Sequence, residues 1–209
     1  MTGDNFLSKV LLVFTESLIV AAVGAYFSKF VPSALFIVIF IVELVLIFVV
    51  NKVRNNPVLA PLFLFLFAFL SGLTVGPLVY TFINAGLASI VIQAFVITSL
   101  IFVLLTASVF IFRINIVGSK KITGFLFVAL IGIIIASVVN IFLHNPLFQF
   151  YISIAVVLIF SGYIIYDISN IVNNPKMTNE YVAALNLYLD FVNIFIALLE
   201  ILGFLENKG

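Results

Sequence analysis

Five acidic residues lie inside stretches otherwise built from Leu, Val, Ile, Phe and Ala: Glu16, Glu43, Asp167, Asp190 and Glu200. An ionised side chain at the centre of a bilayer costs about 2.5–3.5 kcal/mol on insertion scales, so each needs a reason to be there. Carboxyl oxygens exchange protons and bind hard cations, so the chemistry on offer is proton sensing and cation passage. The densest polar pattern is in the last apolar stretch, from Tyr181 to Phe204. There Asp190, Asn193 and Glu200 lie four, seven and fourteen residues after Asn186. On a helix of about 3.6 residues per turn these positions share one narrow face. Such a stripe cannot lie against lipid. It must look into protein or into a wet cavity.

Asp167 lies close to the cytoplasmic end of the preceding apolar stretch. Asp190 lies about 12 Å along the last one from the same side, at about 1.5 Å per residue. A short hairpin over 171–181 joins the two, which predicts the aspartates at similar depth. If their faces meet, the carboxyls can share a proton and titrate as a coupled pair, a ready pH sensor. The competing reading is that each aspartate bonds a helix carbonyl or a buried amide and glues helices together. Tyr163, Asp167 and Asn170 share a face at helical spacing, which favours pairing.

Glu43 falls at the middle of the second apolar stretch, too short to reach water, so it must be protonated or face a cavity. Arg54 follows on the same face, eleven residues on, at the depth of the aspartates. It can snorkel to water as a topology anchor, or turn inward and neutralise the acids. Glu16 shares a face with Lys9 and reads as an interfacial pair. Glu200, near the outer end of its helix, reads as a solvated outer-mouth carboxylate. His144 reads as a loop histidine, and Gly72 with Gly76 as a small-residue packing pair.

Composition sets the elements that must position these groups. Of 209 residues, 65% are hydrophobic and 8% charged, with a mean hydropathy of +1.41. Soluble domains carry about 25% charged residues, so the sequence predicts an all-α integral membrane protein of one domain. Seven stretches reach the length a span requires, near 7–29, 33–53, 58–80, 86–112, 122–143, 147–170 and 182–204. Pro32, Pro57 and Pro146 mark helix starts, Pro61 falls in the first turn of the third helix, and Pro77 predicts a kink or early end there. With the N-terminus cytoplasmic, that side receives Lys9, Lys52, Arg54, Arg113, Lys120, Lys121 and Lys176. The other side receives Lys29 and Lys208. The positive-inside rule then predicts N-terminus in and C-terminus out. Asp4 and Glu16 make the first stretch a poor cleaved signal, so it is read as a retained helix.

Several classes are excluded. A net charge of +1 leaves no basic surface for nucleic acid. There is no cysteine and one histidine, hence no thiolate or multi-imidazole metal site. No lysine lies in 181–207 for a retinal Schiff base, and no hydrolase motif occurs. The expectation is a protein that is not an enzyme and needs no cofactor.

The C-terminal run Gly162-Tyr163-Ile164-Ile165-Tyr166-Asp167, with Leu185-Asn186-Leu187-Tyr188-Leu189-Asp190-Phe191-Val192-Asn193, resembles the signature of the Bax inhibitor family. The likeness is to its small bacterial members, which act as pH-sensitive calcium leak channels. Phe30-Val31-Pro32 with Glu43, Ser71-Gly72-Leu73-Thr74 with Pro77, and Gln93-Ala94-Phe95 with Thr98 are similar to its second, third and fourth helices. The resemblance implies seven helices with the last one central, wrapped by the other six. It implies that Asp167 and Asp190 sense pH and offer weak, transient Ca²⁺ contacts, and that Arg54 latches to them in the closed state. Glu43 then matches a pathway glutamate, while Lys52 competes with Arg54 for the latch. The expected function is a Ca²⁺ leak in a prokaryotic plasma membrane, its pathway lined also by Asn186, Asn193 and Glu200. Two alternatives stay open: a regulatory protein binding a membrane protease or another membrane partner, and a proton-coupled transporter.

Overall fold

Within a bilayer no water satisfies a backbone N–H or C=O, so apolar stretches of this length fold as helices that close their own hydrogen bonds. A computed structural model of the chain describes residues 3–175 and 179–207, with side chains from residue 5 onward. Lys176 and Lys208, both used in the orientation argument, lie outside the described residues. The helices are α1 (Gly3–Phe27), α2 (Phe36–Val53), α3 (Leu59–Asn84), α4 (Ala88–Ile111), α5 (Lys120–Leu143), α6 (Pro146–Asn173) and α7 (Glu180–Glu206). All seven are long and apolar enough to cross a membrane, and the described residues contain no strand.

Local chemistry explains most of the ends. Pro32 opens a short 3₁₀ turn, Ser33–Leu35, that leads into α2. Asn56 Oδ1 accepts from the amides of Val58 and Leu59, each at 3.0 Å, and so satisfies donors at the entry to α3. Pro146 is the first residue of α6, where its missing N–H costs little. His144 ends α5 in the left-handed region with φ 50, its amide donating to the Asn140 carbonyl, and is a loop residue as expected. Pro77 does not end α3, contrary to one of the two expected outcomes. The helix runs on to Asn84, and Thr81 Oγ1 donates to the Pro77 carbonyl at 2.9 Å.

The chain divides into two compact units, Met1–Gly86 with Asn174–Tyr188, and Leu87–Asn173 with Leu189–Gly209. In the first unit the dominant packing is α1 against α3. Glycines make it close. A Cβ on Gly72 would collide with the Ala21 carbonyl oxygen, and one on Gly24 with that of Phe69. Gly72 and Gly76 are therefore the packing pair their spacing suggested, facing Ala21, Ala25 and Ser28 of the first span.

In the second unit α4 and α5 both pack on α6. Phe191 of α7 sits edge-on to Phe95 and Phe102 of α4, with ring centroids 5.8 and 6.1 Å apart. The connection from α4 to α5 is tied to α6. Ser169 Oγ accepts from the Ile116 amide at 3.1 Å, and Asn173 Nδ2 donates to the Ile114 carbonyl at 3.1 Å. Burial differs widely among the helices. α7 has the largest share of buried residues of the seven helices and α5 the smallest. The helix with the polar stripe is the one most enclosed by protein.

Candidate functional site

Asp167 projects from α6 and Asp190 from α7, and both are buried in the second unit. The structure brings them together: the Asp190 carboxyl interacts with that of Asp167 by a side-chain hydrogen bond and by charge. Ile164 and Ile194, one turn from the pair on the same helices, and Ile168, next to Asp167, are fully buried. Tyr163, one turn before Asp167, lies within electrostatic reach of both carboxyls. Asp190 Oδ2 is buried and has no hydrogen-bond partner. Its lone pairs are available to a proton or a cation, at the cost such an orphan acceptor carries.

A second polar cluster lies in the first unit. Glu43 of α2 is buried and hydrogen-bonded by Thr74 of α3. Its Oε1 has no partner. Close by, the fully buried Tyr188 of α7 is hydrogen-bonded to Ser71 and feels the charge of Glu43. The Tyr188 ring stands edge-on to Phe67, centroids 5.8 Å apart. Ser71 and Thr74 are three residues apart on one face of α3.

Glu200 differs from the reading of it as a freely solvated outer-mouth group. It is half-buried, and its Oε2 accepts from Gln149 Nε2 at 2.8 Å and Ser153 Oγ at 2.5 Å. Gln149 Oε1 in turn accepts from Asn140 Nδ2 at 2.8 Å, and Asn140 Oδ1 from the Asn145 amide at 3.3 Å. This chain of bonds joins α5, α6 and α7. Glu200 and Asn193, two turns apart on α7, also line one cavity of about 450 Å³ in the second unit. The sequence signal for the network was the spacing of Gln149 and Ser153, four apart and therefore on one face of the mostly apolar first half of α6. Their meeting with Glu200 could come only from packing.

The remaining charged residues considered as latch or interfacial pair, Arg54, Lys52, Glu16 and Lys9, are exposed. Arg54 caps the C-terminus of α2 with its side chain exposed, and Lys52 is exposed beside it. Arg54 forms no ion pair with a described residue. Glu16 and Lys9 are both exposed and do not pair with each other. Asn186 is half-buried on α7, one turn before Asp190.

A family model described as "Inhibitor of apoptosis-promoting Bax1" matches residues 3–207, nearly the whole chain. The chain belongs to the Bax inhibitor family. Among its relatives is an uncharacterised protein of Campylobacter jejuni, 35% identical across 97% of this chain and 90% of the relative. An uncharacterised membrane protein of Streptococcus pyogenes serotype M1 is 34% identical, across 78% of this chain and 72% of its own length. Bax inhibitor 1 of Schizosaccharomyces pombe is 36% identical over 70% of this chain and 53% of the yeast protein. Membership in the Bax inhibitor family and seven apolar helices of spanning length make this an integral membrane protein.

Proposed function

We propose that this Bax inhibitor family protein is a pH-sensitive Ca²⁺ leak channel gated through Asp167 and Asp190. The observation that supports this most directly is the contact between two buried carboxyls from α6 and α7. Each carboxyl feels the other's charge, so the pair binds protons as a unit and not as two independent acids. With both ionised, Arg54 pairs with them and holds the cytoplasmic end closed. Acidification protonates the pair, weakens the charge-assisted bonds to the guanidinium and frees α2 to move.

In this reading Ca²⁺ is the transported ion, passing weak oxygen sites and not a tight cage. The orphan oxygens of Glu43 and Asp190 support it, since each is an acceptor held ready without a protein donor. Asn186, Asn193 and Glu200 line the remainder of the route. The described lysines and arginines favour a cytoplasmic N-terminus, with six near that face and Lys29 opposite.

The test is Ca²⁺ flux into liposomes holding the purified chain, measured across an acid-to-alkaline series. Flux should rise on acidification in the wild type. An impermeable wild type would dispose of the leak, and an Asp167→Asn variant with the wild-type pH response would dispose of the latch.

A further inference from the structure

The cavity in the second unit is chemically lopsided. Most of its wall is aliphatic or aromatic, including Leu130, Ile133, Ile152, Val156, Phe160 and Ile196. Against this stand two side chains of α7 with acceptors to spare. Glu200 takes both of its donors, Gln149 and Ser153, on Oε2, while Oε1 accepts from no described residue. Asn193 spends its amide N–H on the Leu189 carbonyl at 2.7 Å, and its Oδ1 accepts from no described residue. Ser153 is fully buried and Asn140 nearly so. The hydrogen-bonded chain from Asn140 through Gln149 therefore fixes the Glu200 carboxylate before any ligand arrives.

The cavity also lacks a counter-charge. No lysine or arginine is among the described residues that line it. The half-buried Glu200 carboxylate thus stands at a hydrocarbon wall with no lining cation beside it. A ligand that brings both positive charge and N–H donors complements it. A resident metal ion fits poorly, because lasting coordination of a hard cation takes six or more oxygens and the wall is hydrocarbon; the Ca²⁺ passage proposed above needs only transient contacts. The volume, about 450 Å³, lies within the range of about 300–1,000 Å³ common to small-molecule sites. α5, which forms one side, is the least buried of the seven helices, so an apolar tail can reach the cavity from lipid.

We propose that this cavity binds an amphiphilic primary amine, its ammonium on Glu200 Oε1 and Asn193 Oδ1 and its hydrocarbon body against the aliphatic wall. A free amine suits the site better than an ethanolamine phospholipid. The phospholipid would bring a phosphate beside Glu200, where no lining cation meets it. The proposal does not depend on ion conduction, since a chain that passes no Ca²⁺ would still bind the amine.

The test uses the full chain purified in a non-ionic detergent, with thermal unfolding followed as n-octylamine is added. Octylamine should raise Tm saturably. Octanol has the tail without the charge, and octyltrimethylammonium has the charge without N–H donors. Neither should reproduce the rise. Glu200→Gln keeps an oxygen for Gln149 and Ser153 and so keeps the fold, but should weaken the apparent octylamine affinity by about tenfold or more. Ser137→Phe, which fills the cavity, should abolish the effect. An identical octylamine response in Glu200→Gln or Ser137→Phe overturns the proposal, as does a wild type with no saturable shift. A response to lysophosphatidylethanolamine but not to octylamine overturns the choice of a free amine.

Discussion

Gln149 Nε2 donates to Glu200 Oε2 across 2.8 Å, tying α6 to α7 by a charge-assisted bond within a wall of isoleucine and phenylalanine. Ser153, one turn further along α6, donates to the same oxygen. Two donors on one carboxylate oxygen fix its direction and leave the other oxygen without a described protein donor. Hydrogen bonds to charged groups out of water contribute more than neutral ones, so this pair of contacts orients α6 on α7 as well as solvating the acid.

Ser153→Ala removes one donor without altering volume much. We expect a loss of about 1.5–3 kcal/mol, the range for hydrogen bonds to charged groups. Thermal unfolding in detergent checks this. The double variant Ser153→Ala with Glu200→Leu should recover part of the loss, because it no longer holds an under-bonded carboxylate.

Gly72→Ala and Gly132→Ala should have opposite signs. A Cβ at Gly72 meets the backbone of Ala21 and cannot be relieved by a side-chain rotation, so we expect a cost of about 1–3 kcal/mol. A Cβ at Gly132 in α5 meets nothing within 4 Å. That substitution should stabilise by about 0.5–1 kcal/mol through helix propensity alone. Paired Tm measurements decide.

Asp167→Asn keeps the shape of the pair and deletes one titration. Flux in liposomes should then lose its rise on acidification and become nearly flat with pH. Asp190→Asn should do the same, because a coupled pair with either member neutralised no longer titrates as a unit. Retention of the full pH response by either variant contradicts the proposed gate.

Arg54→Ala should raise Ca²⁺ flux at neutral and alkaline pH toward the acid level, since the closed state loses its cation. Lys52→Ala is the companion measurement, with little change expected. The reverse result would move the latch to Lys52 while leaving the aspartate pair as the sensor.

Much of this protein was legible in residue order alone. Runs of 20 or more apolar residues can only be helices in lipid, so seven spans follow from hydropathy and from the backbone's need for its own hydrogen bonds. Helical spacing likewise put Asn186, Asp190, Asn193 and Glu200 on one stripe, and the Tyr-Asp and Leu-Tyr-Leu-Asp-Phe elements marked the family. Periodicity reports which face of a helix a residue occupies but not which other helix meets that face. Only tertiary packing joined Asp167 to Asp190, set Thr74 on Glu43, and turned Glu200 from a solvated end group into the terminus of a bonded chain. The continuation of α3 through Pro77 to Asn84 was likewise open in residue order, which left a kink or an early end as alternatives.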